Sequence, residues 1–149
     1  MTAVPRTTAP APHRHLEVLA EHECHNLLAA THFGRVALSV GALPHAFPVH
    51  YALLDGDPVF RSEAGTKVAA ASAGNVICLE VDAEDPETHT GWSVMVIGRA
   101  EVITDDATLA RAQALPLQPW AGRGDAYVRI SSTLVSGRRV VHGHREPPA

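Results

Sequence analysis

The sequence is poor in several residue types, and each shortage excludes a class of protein. Two cysteines, Cys24 and Cys78, are too few for a disulfide framework and do not have zinc-ligand spacing. No apolar run approaches the roughly 18–20 residues that cross a bilayer, and residues 1–12 lack the apolar core of a signal peptide. The net charge of −4 lacks the basic excess of a sequence-independent nucleic-acid binder. We therefore expect a cytoplasmic protein with neither a membrane nor a nucleic-acid partner.

Lysine is the scarcest charged residue. Lys67 is the single lysine beside eleven arginines. A genome that favours arginine codons accounts for the general bias. The one position that keeps a lysine therefore becomes a candidate functional residue.

What the chain does contain is enough for one hydrophobic core. It has 149 residues, of which 46% are hydrophobic and 19% charged, with a mean hydropathy of zero. This composition excludes bulk disorder and fits one ordinary domain. Proline-containing ends predict flexible tails at residues 1–14 and 142–149, which leaves a domain at residues 15–141.

The hydrophobic pattern predicts a mainly β fold with short helices. Strict alternation or β-branched runs predict six strands, at residues 34–40, 47–53, 58–62, 76–81, 92–103 and 127–135. The Asp55-Gly56 pair predicts a hairpin turn between the second and third strands. Helices are predicted at residues 17–30, 66–73 and 105–115. Strands joined in this way close a small six-stranded antiparallel barrel.

The stretch from Val59 to Lys67 predicts a phosphate site. A strand ends and a helix begins within it, and four side chains there offer two cations and two hydroxyls: Arg61, Ser62, Thr66 and Lys67. Positive charge, directional donors and the N–H groups of a helix start suit a phosphate dianion. The order of residues is not that of a Walker loop, and a solvated strand–helix corner is the alternative interpretation.

An ordered series of motifs resembles the pyridoxamine 5'-phosphate oxidase-like superfamily of FMN-binding split barrels, in particular its short bacterial branch. The series covers residues 16–140 and consists of Gly34-Arg35-Val36-Ala37, Phe47-Pro48-Val49-His50-Tyr51, Phe60-Arg61-Ser62, Gly65-Thr66-Lys67, Gly91-Trp92-Ser93-Val94, Gly98-Arg99-Ala100, Arg129-Ile130 and Gly137-Arg138-Arg139. The resemblance implies a six-stranded split β-barrel and a homodimer with flavin sites at the subunit interface.

The resemblance also implies roles for particular residues. Arg61, Ser62, Thr66 and Lys67 match phosphate-holding positions. A strand whose backbone borders the flavin ring corresponds to Pro48, Val49, His50 and Tyr51, and residues that reach the flavin across the dimer correspond to Trp92 and Ser93. Trp120 and Arg129 lie in the region expected to close the site. Trp92 could equally be a core aromatic residue.

The function implied is an FMN-dependent oxidoreductase that passes a hydride between the flavin and a small-molecule substrate. The substrate and any catalytic acid or base are not readable from the sequence. Alternatives are a non-catalytic flavin or haem module, with His50 as a candidate axial ligand, or a deazaflavin-dependent reductase using Arg123 and Arg129 for a longer anionic tail. Vitamin B6 oxidation is not expected, since the Arg-x-His signature of true pyridoxamine phosphate oxidases has only a loose echo in residues 138–142.

Ten histidines raise the possibility of a metal site. His22 and His25 share a face of the first predicted helix, but they lack a third ligand at suitable spacing. We therefore predict no metal centre.

Overall fold

A computed structural model describes residues 13–143, which form eight strands and three helices. In chain order these are β1 (Arg14–Val18), α1 (Glu21–Ala30), β2 (Phe33–Val40), β3 (Leu43–Leu54), β4 (Asp57–Ser62), α2 (Thr66–Ser72), β5 (Val76–Asp85), β6 (Thr90–Val102), α3 (Asp106–Gln113), β7 (Ala126–Ile130) and β8 (Leu134–His142). None of the helices in these residues is long and apolar enough to cross a membrane.

Six of the strands form a closed antiparallel barrel. Its strands follow the order β6–β5–β2–β3–β4–β7, and β7 pairs back onto β6. β8 continues the sheet from β6 outside the ring, and β1 pairs with β8. The six-stranded antiparallel barrel predicted from the sequence is confirmed. The two outer strands form an extension that the sequence analysis did not separate.

The barrel closes at the point where β6 changes partners along one edge. Its first half pairs with β8 as far as Ile97, and its end pairs with β7 from Ala100 onward. The connection from β7 to β8 passes over Gly98, where any Cβ would overlap the carbonyl oxygen of Ser131. Only glycine fits this crossing. The strand predicted at residues 127–135 is consequently two strands.

Alternation along the strands places the core inside the barrel. On β6, Val94 and Val96 are fully buried, whereas Met95 and Ile97 face outward. Val36 on β2 and Leu79 on β5 are likewise buried against the same core. Each such side chain contributes roughly 1.5–3 kcal/mol by leaving water.

Helix α1 packs on β8, β3 and β6 and is shorter than predicted. Residues 14–18 form β1, and the helix begins only at Glu21, where the Ala20 amide donates to the Glu23 carboxylate at 2.9 Å. Acidic residues in this first turn favour the positive end of the helix dipole. Cys24 and Leu28 are its buried residues and join the barrel core.

The predicted tails fall almost entirely outside the described residues. At their inner limits, Arg14 and His142 face each other as paired residues of β1 and β8.

Tyr51 ties α1 to the barrel. Its side chain is 1% exposed, and its hydroxyl donates to the Leu28 carbonyl at 2.7 Å. The Thr31 hydroxyl lies 2.6 Å from the Tyr51 hydroxyl oxygen and donates to the Leu27 carbonyl at 2.7 Å. Burial raises the pKa of the Tyr51 phenol, so the hydroxyl stays protonated and available as a donor.

Replacing Tyr51 by Phe should destabilise the fold without changing its shape. The variant removes the 2.7 Å donor of the Leu28 carbonyl, which keeps only a 3.4 Å contact from the Thr31 hydroxyl, so the free energy of unfolding should fall by about 1–3 kcal/mol in urea titrations. Tyr127→Phe is the matched control. The Tyr127 ring lies 5.4 Å from the Arg61 guanidinium, and phenylalanine keeps this ring contact while losing only the hydroxyl. Equal stability of the two variants would contradict the role assigned to Tyr51.

Candidate functional site

A polar pocket of about 220 Å³ opens where β3 and β4 separate. The two strands pair only from Tyr51 and Phe60 to the hairpin turn, so the earlier part of β3 does not follow β4. β4 continues to Ser62 alongside β7, and the chain enters α2 at Thr66. The pocket, called the Lys67 pocket below, is lined by Pro48, Val49, Arg61, Ser62, Glu63, Ala64, Gly65, Thr66, Lys67, Trp120 and Ala121.

Lys67 is the cation of this pocket whose charge has no acidic partner among the described residues. Its ammonium nitrogen lies 4.6 Å from the centroid of the Phe47 ring, and it makes no ion pair in residues 13–143. The side chain is half-buried, and this desolvation lowers the pKa of the ammonium from its usual range. An anion entering the pocket would restore the solvation that burial removes.

Arg61, the second predicted cation, is already engaged. Its guanidinium donates to the carbonyl oxygens of Gly124 at 3.0 Å, Arg123 at 3.2 Å and Leu117 at 3.4 Å. All three belong to the segment that connects α3 to β7. The sequence cluster is therefore brought together, but Arg61 directs its donors mainly into the protein.

The remaining members of the cluster supply hydroxyls and a carboxylate. Thr66 is exposed at the start of α2, and Ser62 is buried with its hydroxyl donating to the Glu63 carbonyl at 3.1 Å. The Glu63 carboxylate accepts a hydrogen bond from the Arg123 backbone amide at 2.7 Å. Sequence reasoning missed Glu63, because its partner lies 60 residues away.

Trp120 connects the pocket to a group of aromatic rings. Its ring centroid lies 5.2 Å from Phe33 and 5.6 Å from His50, and His50 stacks on His32 at 5.9 Å. These four residues are the aromatic cluster. Trp120 nevertheless remains 54% exposed, so the cluster leaves a large apolar ring surface uncovered beside the pocket.

The structure separates the other predicted site residues from the Lys67 pocket. Tyr51 points into the core, and Arg129 donates to the Asp57 carboxylate at 2.9 Å. Trp92 and Ser93 line a different cavity, of about 370 Å³. One chain therefore assembles Pro48, Val49, Arg61, Ser62, Thr66, Lys67 and Trp120 around the pocket, with His50 beside it.

Other features of the described residues offer less chemistry. A cavity of about 460 Å³ has no lysine or arginine in its lining and so offers no permanent positive charge to an anion. No group of three or more histidine, cysteine or acidic side chains in residues 13–143 has metal-binding geometry. His25 instead lies 3.6 Å from Glu21 along α1.

The family is decided by a profile match along most of the chain. Residues 20–139 match the model of the pyridoxamine 5'-phosphate oxidase family. The chain belongs to this family. An uncharacterized protein of Mycobacterium tuberculosis is 36% identical over 148 residues, which cover 95% of this chain and 97% of that protein.

Two FAD-binding proteins are among the solved structures that resemble this member of the pyridoxamine 5'-phosphate oxidase family. The FAD-binding protein of Mycobacterium smegmatis is 35% identical, with a TM-score of 0.70, and the match covers 82% of this chain and 96% of that one. An FAD-binding protein of Mesorhizobium loti is 25% identical, with a TM-score of 0.71, and the match covers 87% and 100% of the two chains.

The single lysine makes the electrostatics of the pocket directly measurable. Reductive methylation with 13C-formaldehyde labels one lysine side chain, and its NMR titration should give a pKa below the ordinary value of about 10.4. In urea the same signal should return to the ordinary value. Between the two pKa values the unfolded chain binds more protons, so this group's contribution to stability rises with pH. A folded-state pKa at or above the value in urea would contradict the described burial.

Proposed function

We propose that the protein is a flavin-dependent oxidoreductase that holds a flavin nucleotide by its phosphate in the Lys67 pocket. The observation that carries the proposal is a half-buried ammonium without a carboxylate partner in the described residues, next to the Thr66 hydroxyl and the start of α2. Family membership and the two similar FAD-binding proteins support it.

The aromatic cluster gives the flavin ring a place beside the phosphate. The exposed face of Trp120 borders the pocket, as do Pro48 and Val49 of β3. Because β4 does not follow this part of β3, a planar ring can approach the strand edge there. When bound, the flavin supplies the hydride chemistry, and the protein binds it, orients it and excludes water.

We take FMN as the ligand, because a riboflavin 5'-phosphate uses every feature of the site described so far. FAD contains the same riboflavin phosphate and therefore belongs in the same titrations. The alternatives have less support in the structure. Of the two arginines considered for a deazaflavin's tail, Arg129 is held by Asp57, and Arg123 is exposed with its guanidinium 3.8 Å from Asp125 and does not line the pocket. The His50 ring is packed among His32, Phe33 and Trp120 rather than free for haem iron.

We propose further that the protein is a homodimer. Five apolar side chains form a patch on the outside of neighbouring strands, called the outer patch: Val76, Cys78, Met95, Ile97 and Leu134. Val76 and Leu134 are 59% and 62% exposed, and a contiguous exposed apolar patch is typical of an interaction site. A two-fold contact covers the same patch on both copies. The family resemblance implies that the flavin sites lie at the subunit interface, and we include that placement in the proposal.

Replacing Lys67 by Met should weaken FMN binding while leaving riboflavin binding unchanged. Met keeps the stem on Phe47 but removes the charge, so losing the phosphate contact should cost about 1.5–3 kcal/mol. The dissociation constant for FMN should therefore rise roughly 10- to 150-fold, as measured by flavin fluorescence.

Arg99→Met is the control for this experiment, because it removes one positive charge from a residue that does not line the pocket. An equal loss of FMN affinity in both variants, or an equal loss of riboflavin affinity in K67M, would refute the phosphate assignment. A wild-type protein that binds neither FMN nor FAD would refute the proposed function.

Charges placed in the outer patch should dissociate the dimer. Met95→Glu combined with Leu134→Glu would bring four unpaired carboxylates, two from each copy, into a two-fold contact, so sedimentation should show a monomer where the wild type is a dimer. Leu43→Glu is the control, since Leu43 is 65% exposed but lies at the start of β3, outside the patch. A wild-type monomer at micromolar concentration would exclude the dimer.

A further inference from the structure

We propose that Arg61 and Glu63 are positioning residues that hold the segment 117–124, and with it Trp120, against the Lys67 pocket, while Lys67 provides the charge for the phosphate. The inference rests on the proposed flavin site. It departs from the sequence-based expectation, in which Arg61 and Lys67 share the phosphate.

The first observation is the use of the Arg61 donors. Three of the five N–H groups of a guanidinium are accounted for by the carbonyls of Leu117, Arg123 and Gly124. A planar fork suits several acceptors that converge at fixed angles. One face of the guanidinium also lies 5.4 Å from the Tyr127 ring centroid. This environment suits a group that anchors a loop.

The second observation is the carboxylate two residues further along. The Glu63 side chain accepts the Arg123 amide at 2.7 Å and covers Gly122, where a Cβ would collide with the carboxylate. Gly122 has a φ of +69°, a conformation that glycine adopts freely. Arg61 thus binds the carbonyls of the segment, and Glu63 binds an amide of the same segment.

The pair Arg61 and Glu63, called the clamp below, also affects the charge balance of the pocket. Arg61 and Glu63 carry opposite charges and bind the same segment, so their formal charges sum to zero. Lys67 is left as the net positive charge of the lining. This division assigns ligand charge to one residue and loop geometry to the other two.

Trp120 is the side chain whose place depends on the clamp. Trp120 lies just before residues 122–124, which the clamp holds. It follows Pro119, whose ring packs so closely on Gly124 that a Cβ added to Gly124 would collide with it. The Trp120 ring then rests on Phe33 and His50 and borders the pocket. Loosening the segment would withdraw this ring surface from any bound flavin, with or without a phosphate.

A comparison of riboflavin with FMN separates positioning from phosphate contact. Arg61→Met combined with Glu63→Gln keeps one net positive charge in the pocket lining and should raise the dissociation constants for riboflavin and FMN by the same factor, between about 2- and 12-fold. K67M should raise only the constant for FMN. A double variant that loses FMN affinity with unchanged riboflavin affinity would show that Arg61 contacts the phosphate, and would overturn the inference.

Two substitutions of Glu63 isolate the hydrogen bond from the charge. Glu63→Gln and Glu63→Ala both remove the negative charge, but only Gln keeps an oxygen that accepts the Arg123 amide. We expect Glu63→Gln to bind riboflavin as the wild type does, and Glu63→Ala to bind it about 2- to 12-fold more weakly. Identical behaviour of the two variants would contradict the clamp.

Fluorescence quenching tests the clamp without any ligand. In a Trp92→Phe background, Trp120 is the only tryptophan, and acrylamide should quench it more strongly in Glu63→Ala than in Glu63→Gln. This result would stand even if the wild type bound no flavin, so the clamp and the flavin proposal can fail separately. Glu63 is exposed, so its variants keep the test open if Arg61→Met fails to fold. Equal quenching in the Trp92→Phe background alone, with Glu63→Ala and with Glu63→Gln would overturn the inference.

Discussion

The crossing of Gly98 by Ser131 is the constraint on which the rest of this architecture depends. One edge of β6 serves two partners in succession, and it can do so only because the chain between β7 and β8 passes where β6 has no side chain. β7 is thereby directed into the ring beside β4, and β8 leaves it. Pairing of β7 with β4 brings the preceding segment, residues 114–125, back across Arg61. The wall of the Lys67 pocket is therefore a consequence of barrel closure.

The pocket itself arises from an interrupted ladder. β3 and β4 pair over four positions and then separate, and α2 occupies the space beyond. Strand ends and helix starts have backbone groups without partners in regular structure, and these groups together with nearby cations attract anions. The core under the gap stays dry because Tyr51, Phe60 and Val49 fill it from both strands. A polar site can therefore sit directly on an apolar core.

Local patterns in the sequence predicted those parts of the molecule that local interactions stabilise. Alternation identified β2 and β6, and Asp55-Gly56 identified the hairpin turn, where both residues have positive φ. β1 was missed because all five of its residues are exposed, so its pairing with β8 leaves no hydrophobic signal. The break between β7 and β8 was missed because the crossing partner, Gly98, is about thirty residues away in the chain. The cluster from Arg61 to Lys67 was found because it lies in one short stretch. The engagement of Arg61 was not, because its acceptors lie 56 to 63 residues further on.

The difference between the two cations of the pocket follows from the shapes of their head groups. A guanidinium offers five donors in a rigid plane, and Arg61 lies where three carbonyls of one loop converge. An ammonium is a compact charge on a flexible stem, and Lys67 lies on the edge of the cavity with its nitrogen over the Phe47 ring. A guanidinium in that place would tend to stack flat on the ring, with its donors turned along the ring plane rather than toward the cavity. A chain that otherwise uses only arginine therefore has a geometric reason to keep a lysine at this position.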